Sequence, residues 1–108
     1  MSGPTQFDDV SVVCKANVYF DGGVVSHTIL FKDGTKKTIG LIRQGIYKFD
    51  TGAPELMQIV GGACRVKLAE AADWTSYATG TEFSVPGKSH FEIAVDSGIA
   101  EYVCSFLA

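Results

Sequence analysis

Few groups in this chain can do chemistry, and the sharpest of them is a carboxyl placed on an apolar alternation: Glu55 follows Pro54 and falls in phase with Met57 and Ile59. A carboxyl turned inward is costly unless it is paired or used, so Glu55 marks a candidate site; a buried glutamate satisfied by backbone N–H groups is the competing account. Four aromatic residues, Tyr47, Phe49, Phe83 and Phe91, sit on the inward parity of their runs. They could stack on a planar ligand, and each taken alone suits the packed core of a barrel at least as well. Anion-holding chemistry has a separate candidate in Pro86-Gly87-Lys88-Ser89, where backbone N–H groups, the Ser89 hydroxyl and the Lys88 ammonium could converge. Lysines in turns are ordinarily solvated, and Lys36, Lys37, Arg43 and Arg65 are further cationic candidates. His90 points with Glu92 and Asp96, away from Phe91 and Ile93, and reads as a surface histidine, while His27 has no assignable role. Cys14, Cys64 and Cys104 are odd in number and widely spaced, which suits neither a disulfide framework nor a Cys-x-x-Cys zinc site. Each lies on the apolar side of its run, so all three are expected to be buried, reduced thiols.

Strands must position these groups. Gly80 to Val95 joins two alternating runs through Pro86-Gly87, with Thr81, Phe83 and Val85 on one face of the first arm and Phe91, Ile93 and Val95 on one face of the second. That period of two predicts a β-hairpin with one buried side, the first strand ending at a proline that has no N–H for a central ladder. Upstream, Val10 to Phe20 alternates as one long strand, with Val12, Cys14 and Val18 on its apolar face. Asp21-Gly22-Gly23 reverses the chain, Val24 to Lys32 forms a second strand, and Asp33-Gly34 is a hairpin dipeptide suited to two residues of positive φ. Thr35 to Arg43 follows, interrupted at Gly45, and Ile46 to Thr51 resumes; Glu55 to Val60, Ala63 to Leu68, Thr75 to Ala78 and Ile99 to Leu107 complete the set, with Ser97-Gly98 as the last turn.

No run of a dozen residues carries helical periodicity, and many short strands with Gly-rich turns predict an all-β fold, a small antiparallel β-barrel. The 108 residues suffice for one domain, read as a flexible N-terminal lead-in over 1–9 and a single domain over 10–108. A hydrophobic share of 46% and a formal charge of −3 give no broad attraction to nucleic acid or anionic membrane. With no signal-like start and no long apolar span, the expected setting is cytoplasmic. Sheets of this kind hide their edges by packing on one another, so a homodimer is expected.

Gly80, then five residues, Pro86-Gly87 and a polar cluster together resemble the second motif of the cupin barrels, shortened by one residue at the turn. The resemblance implies a double-stranded β-helix of the jelly-roll type. In cupins, two histidines one residue apart precede a glutamate and a glycine, and with a histidine of the second motif they hold a metal. Glu55 and Gly62 keep the glutamate-to-glycine spacing, but Tyr47 to Thr51 supply no histidine, and one inward carboxylate cannot assemble a divalent site. No metal and no organic cofactor are expected.

A narrower resemblance runs from roughly Thr35 to Leu107. The segments Gly45-Ile46-Tyr47-Lys48-Phe49, Pro54-Glu55-Leu56-Met57, Val60-Gly61-Gly62, Asp73-Trp74-x-x-Tyr77, Gly80-Thr81-x-Phe83-x-Val85-Pro86-Gly87-x-Ser89-x-Phe91 and Tyr102-x-Cys104 are similar to the small cupins of the pyrimidine/purine nucleoside phosphorylase family. What that family implies is transfer of a ribosyl group: inorganic phosphate attacks the glycosidic carbon of a purine or pyrimidine ribonucleoside, giving free base and ribose 1-phosphate. Under this reading Glu55 and Ser89 are the catalytic candidates, Glu55 binding the ribose hydroxyls or steering the departing base. Tyr47, Phe49, Met57, Phe83, Lys88 and Phe91 are the substrate-binding candidates. Broad base acceptance favours stacking, since every base has a π-face while the hydrogen-bonding edges differ. Trp74 and Tyr77 are expected to anchor a loop or a subunit contact. Two alternatives stand beside it: a non-catalytic small-molecule-binding cupin, and a metal-dependent cupin enzyme with atypical ligands.

Overall fold

The computed structural model describes residues 4–107. The first three residues of the expected lead-in lie outside the described residues; of the remainder, Phe7 meets Phe31 edge to face with ring centroids 5.2 Å apart, and the Asp9 carboxylate lies 3.9 Å from Lys32. Nine strands follow in order: β1 (Ser11–Val12), β2 (Asn17–Tyr19), β3 (Val24–Leu30), β4 (Lys36–Asp50), β5 (Glu55–Gly61), β6 (Ala63–Leu68), β7 (Thr75–Ala78), β8 (Glu82–Val85) and β9 (His90–Phe106). One 3-10 turn, Phe20–Gly22, separates β2 from β3. Every pairing is antiparallel. The all-β barrel is therefore present, and its double-sheet form is the jelly roll.

The two long strands build both sheets. Over its first half β4 lies between β3 and the second half of β9, which continues to β5 and β8. Over its second half β4 pairs the first half of β9, which continues to β6 and β7. The crossing point is a register shift between Arg43 and Gly45. There the inward phase of β4 changes from Thr38, Gly40 and Ile42 to Tyr47 and Phe49, while β9 changes from Phe91, Ile93 and Val95 to Ala100, Tyr102 and Cys104. Between the Arg43–Ile99 and Gly45–Val95 pairs β4 advances two residues while β9 advances four, so the regular ladder is broken at the corner, and the inward residues on either side of it differ in parity. Tyr47 fixes this corner: its hydroxyl lies 3.0 Å from the Arg43 carbonyl and 3.1 Å from that of Gln44 as donor. Its ring fits only because Gly23 and Gly45 lack a Cβ, which would stand 2.7 Å from Tyr47 atoms at either place.

Inside, Ile59, Ile93, Val24, Val85 and Ile42 are fully buried, each contributing on the order of 1.5–3 kcal/mol relative to exposure. Cys64, Val66, Phe83 and Phe91 fill the space between the sheets.

Several sequence expectations need correction. The Gly80–Val95 stretch is no hairpin: β8 pairs β5, whereas the first half of β9 pairs β4 and β6. The intervening residues are bonded to another loop instead of to each other. The Thr51 hydroxyl donates to the Pro86 carbonyl at 2.7 Å, and the Lys88 N–H donates to the Gly52 carbonyl at 3.0 Å. Pro86 ends β8, as its missing N–H requires, and the chain then crosses from one sheet to the other. Likewise Ser97-Gly98 is not a turn between strands but lies within β9, with Gly98 at φ 66°. The stretch Val10 to Phe20 breaks into β1 and β2, and in both the inward parity is the opposite of the expected one. Asn17 and Tyr19 face inward opposite Ser26 and Val24, leaving Val12 and Val18 more than half exposed. Cys14 falls in the break and is exposed, against the expectation of burial; Cys64 and Cys104 are buried.

Gly62 makes the closest backbone approach, at φ 69°, where a Cβ would lie 2.2 Å from the Ile99 carbonyl oxygen. Gly62→Ala is expected to lose about 2 kcal/mol or more of unfolding free energy by urea titration. Gly52→Ala, whose Cβ meets nothing within 4 Å, is expected to stay within about 0.5 kcal/mol.

Candidate functional site

The fixed register arranges inward residues in rows. Across β4, β9 and β5, Thr38, Cys104 and Met57 form one row, and Gly40, Tyr102 and Ile59 form the next. Glu55 stands opposite Phe106 in the row toward the open end. Between these rows and the second sheet lies a cavity of about 180 Å³. One wall carries the polar groups of Ser26, Thr38, Tyr102 and Cys104; Phe49, Phe91 and Met57 form the apolar wall; Tyr19, Asp50, Glu55 and Phe106 also line it.

Glycine makes the room. A Cβ on Gly40 would lie 2.8 Å from the Ser26 Cβ and 2.9 Å from the Tyr102 hydroxyl, so Tyr102 can lie across β4 only above a residue without a side chain. Burial pushes the Tyr102 phenol up to about 12, the Ser26 hydroxyl acting in the opposite sense. Burial likewise raises the Cys104 thiol to about 12, aided by the adjacent Glu55 charge. Both groups are therefore neutral donors at physiological pH. Glu55 is half-buried, and desolvation raises its carboxyl above the ordinary value, partly opposed by the Cys104 thiol that donates to Oε1 at 3.6 Å.

The aromatic members form a connected stack. Phe49 and Phe91 lie nearly parallel, 24° between planes and 5.8 Å between centroids. Tyr19 meets Phe49 edge to face at 5.8 Å, and Phe20 does so at 5.4 Å. Tyr19 and Phe20 are 45% and 50% exposed, so aromatic surface continues from the cavity onto the protein exterior. Phe20 and Asp21 hold φ near 52° and 53°, a left-handed conformation that is costly for a bulky side chain.

Of the residues singled out in the sequence, Glu55, Phe49, Met57 and Phe91 come together around this cavity. Tyr47 and Phe83 do not line it: Tyr47 braces the corner of β4, and Phe83 packs between Tyr77 and Phe91 at 4.7 and 6.1 Å. Lys88 is exposed and Ser89 half-buried, neither among the lining residues. The N–H groups of the supposed nest are already engaged, Lys88 with Gly52 and Ser89 with the Thr51 hydroxyl at 3.0 Å. Sequence reasoning missed Tyr19, Ser26, Thr38, Asp50, Tyr102 and Cys104. A signal existed for part of this set, since Tyr102, Cys104 and Phe106 alternate in phase; nothing local tied them to Thr38 or Ser26.

A divalent metal does not fit these residues. Among the described residues no three His, Cys, Asp or Glu side chains are grouped to hold one, and the cavity donors are mainly hydroxyls, with the Cys104 thiol and the carboxyls of Glu55 and Asp50. The arrangement suits a ligand with several hydroxyls and a flat ring.

The family model described as pyrimidine/purine nucleoside phosphorylase matches residues 14–106. A protein of that name in Burkholderia vietnamiensis is 56% identical over 107 residues, covering 99% of this chain and 100% of the relative. A crystal structure of a protein of unknown function from Acinetobacter sp. ADP1 superposes with a TM-score of 0.92 at 45% identity, covering 94% of this chain and 98% of the other. A cupin-2 domain from Rhodospirillum rubrum shares the fold at TM-score 0.68 and 11% identity, covering 96% and 73% of the two chains.

Two outcomes follow from the burial pattern. A raised carboxyl in the folded state favours folding while protonated, so Glu55 contributes fully below its unfolded value near 4.5 and that contribution is lost as pH rises through the folded value. Wild type is therefore expected to lose stability relative to Glu55→Gln over that rise, read by thermal melts from pH 4 to 8. A disulfide reagent at pH 8 is expected to modify one thiol quickly in the native protein, and Cys14→Ser is expected to abolish that fast phase.

Proposed function

Because the chain belongs to the pyrimidine/purine nucleoside phosphorylase family, we propose that it cleaves purine and pyrimidine ribonucleosides with inorganic phosphate, releasing the free base and ribose 1-phosphate. The observation that carries this is a half-buried carboxyl, Glu55, beside neutral hydroxyl donors and a parallel phenylalanine pair in one cavity. In such a reaction the bond between C1′ and the base nitrogen breaks with its electron pair going to the base. An oxygen of hydrogen phosphate forms the new bond to C1′, and the proton that the phosphate carried ends on the departing base. The sugar passes through an oxocarbenium-like state, so the site has to hold ribose firmly while an anion approaches one face. Glu55, with its acceptor oxygens, is suited to the ribose hydroxyls, and Tyr102 and Thr38 are suited to complete their hydrogen bonds.

Base tolerance has a matching physical basis. The rings of Phe49, Phe91 and Tyr19 offer π-faces and edges without a fixed pattern of donors and acceptors. The raised Glu55 carboxyl is a further asset, since a protonated fraction persists nearer to neutrality and can hydrogen-bond the base as it leaves. Activity without a metal, in a cytoplasmic homodimer that covers exposed apolar residues such as Ile39 and Ile46, completes the proposal.

Chelator-treated protein incubated with uridine or guanosine is expected to release base only when phosphate is present, with ribose 1-phosphate formed in equal amount. Glu55→Gln is expected to lower kcat/KM about 10- to 100-fold, the value of one or two hydrogen bonds to a charged group. Base release without phosphate would make the protein a hydrolase. Saturable nucleoside binding with no product would leave a binding cupin, and full turnover of Glu55→Gln would remove this residue from the mechanism.

A further inference from the structure

Lys36 opens β4, two residues before Thr38, and so belongs to the inner face of that strand. Among cationic residues in strands it alone has this parity: Lys37, Arg43 and Lys48 alternate to the outer face of β4, and Arg65 and Lys67 to the outer face of β6. The outer cations are also engaged or removed from the cavity. Arg65 grips Asp96 through two hydrogen bonds of 2.9 and 2.8 Å, and Arg43 Nε donates to the Gly22 carbonyl at 3.1 Å. Lys37 lies over the rings of Phe7 and Phe31 on the far side of the sheet. The Lys36 ammonium sits 5.8 Å from the centre of the Phe106 ring, which lines the cavity, and it makes no ion pair among the described residues.

Leu30 stands opposite Lys36 across the β3–β4 pair, and the next rows toward the cavity are built of donors. Thr28 stands directly opposite Thr38 across the β3–β4 pair, and Ser26 opposite Gly40. The Asn17 amide donates one N–H to the Ser26 hydroxyl oxygen at 3.2 Å and the other to that of Thr28 at 3.3 Å. A hydroxyl that accepts from an amide still has its own proton to give. Ser26, Thr28, Thr38 and Lys36 thus form a strip rich in donors with no carboxylate on it. The nearest carboxyl in the same row is Glu55, two strands away, because Lys36 lies one step beyond the Lys37–Ser105 pair and Phe106 pairs Glu55. Two interstrand spacings of about 4.8 Å set their backbones roughly 10 Å apart, room for an anion and a pentose side by side.

Given the phosphorolysis proposed above, we infer that Lys36, with the hydroxyls of Thr28 and Thr38, is the subsite that holds inorganic phosphate, and that it delivers a phosphate oxygen toward a ribose anchored at Glu55. Lys36 supplies the charge, and the threonines orient the anion. Phe106, between the two, separates the phosphate from the Glu55 carboxyl.

The test varies phosphate at saturating uridine for wild type, Lys36→Met, Lys36→Arg and Lys37→Met. Lys36→Met is expected to raise the phosphate KM about 10- to 100-fold while the uridine KM changes less than about threefold. Lys36→Arg is expected to recover most of the loss, and Lys37→Met, which removes the same charge from the opposite face, is expected to behave as wild type. A second readout needs no turnover: phosphate should raise the Tm of wild type, and that rise should vanish in Lys36→Met but persist in Lys37→Met. Should wild type turn over nothing yet show the Lys36-dependent rise, the anion site stands and the phosphorylase activity falls. An unchanged phosphate KM in Lys36→Met, a loss found instead in Lys88→Met, or no phosphate-dependent rise in any protein would each overturn the subsite.

Discussion

The interior of this barrel depends on the pairing of β4 with β9. These strands of 15 and 17 residues cross from one sheet into the other together, and their shared register shift at Arg43–Gly45 inverts the inward phase of both at the same level. Thr38 faces the cavity before the corner and Phe49 after it only because that shift is present. A slip of one residue would carry Thr38, Tyr102 and Cys104 to the outside and bring Lys37 and Glu101 in. The corner is accordingly held by several contacts: the Tyr47 hydroxyl on two carbonyls, its ring between Gly23 and Gly45, and the Arg43 N–H on the Gly23 carbonyl at 2.8 Å.

Within that frame the cavity balances two opposed demands. A core wants apolar groups, while a site for sugar and anion wants hydroxyls, a carboxyl and a cation. The structure meets both by grading polarity along the inner face. Ile59, Ile42 and Ile93 seal the deep end, Tyr102 and Cys104 are kept neutral by burial in the middle, and Glu55 sits half-buried nearer the rim. Charge appears only where water can still reach it, which limits the desolvation cost. The strained Phe20–Asp21 pair at the rim belongs to the same pattern, since it carries an exposed aromatic ring against Phe49 at the expense of two unfavourable backbone conformations.

Much of the fold was legible because alternation is a local property. Phe91, Ile93 and Val95 read inward from their own spacing, as did Tyr47 and Phe49, Met57 and Ile59, and Cys64 and Val66, and all of them pack in the interior. Glu55 stood out as a carboxyl on such a face, and it does line the cavity. Val10 to Phe20 was misread because an alternating pattern does not show a break in the chain. Residues 13–16 leave the strand, and on both sides of that gap the parity facing in is the one opposite to Val12 and Val18, so that Asn17 meets Ser26 inside. The Gly80–Val95 stretch was misread for a different reason. Two alternating arms joined by Pro-Gly look alike whether they pair with each other or with strands far away, and here the Thr51 hydroxyl and the Thr51–Gly52 backbone take the hydrogen bonds that a hairpin would have closed.

The sequence by itself determined that the chain is all strands, which faces of most strands are buried, and, through motifs at matching spacings, the family. Each of these follows from residues close in the chain, where period two and turn chemistry act. The tertiary structure alone decided which strands are neighbours, and with that the membership of the site. Thr38 meets Cys104 across 66 positions, Ser26 meets Tyr102 above Gly40, and Lys36 shares a row with Glu55. A period of two tells each strand which way to face and leaves open what it faces, because register is fixed by bulges, glycine contacts and pairings between residues that the chain keeps far apart.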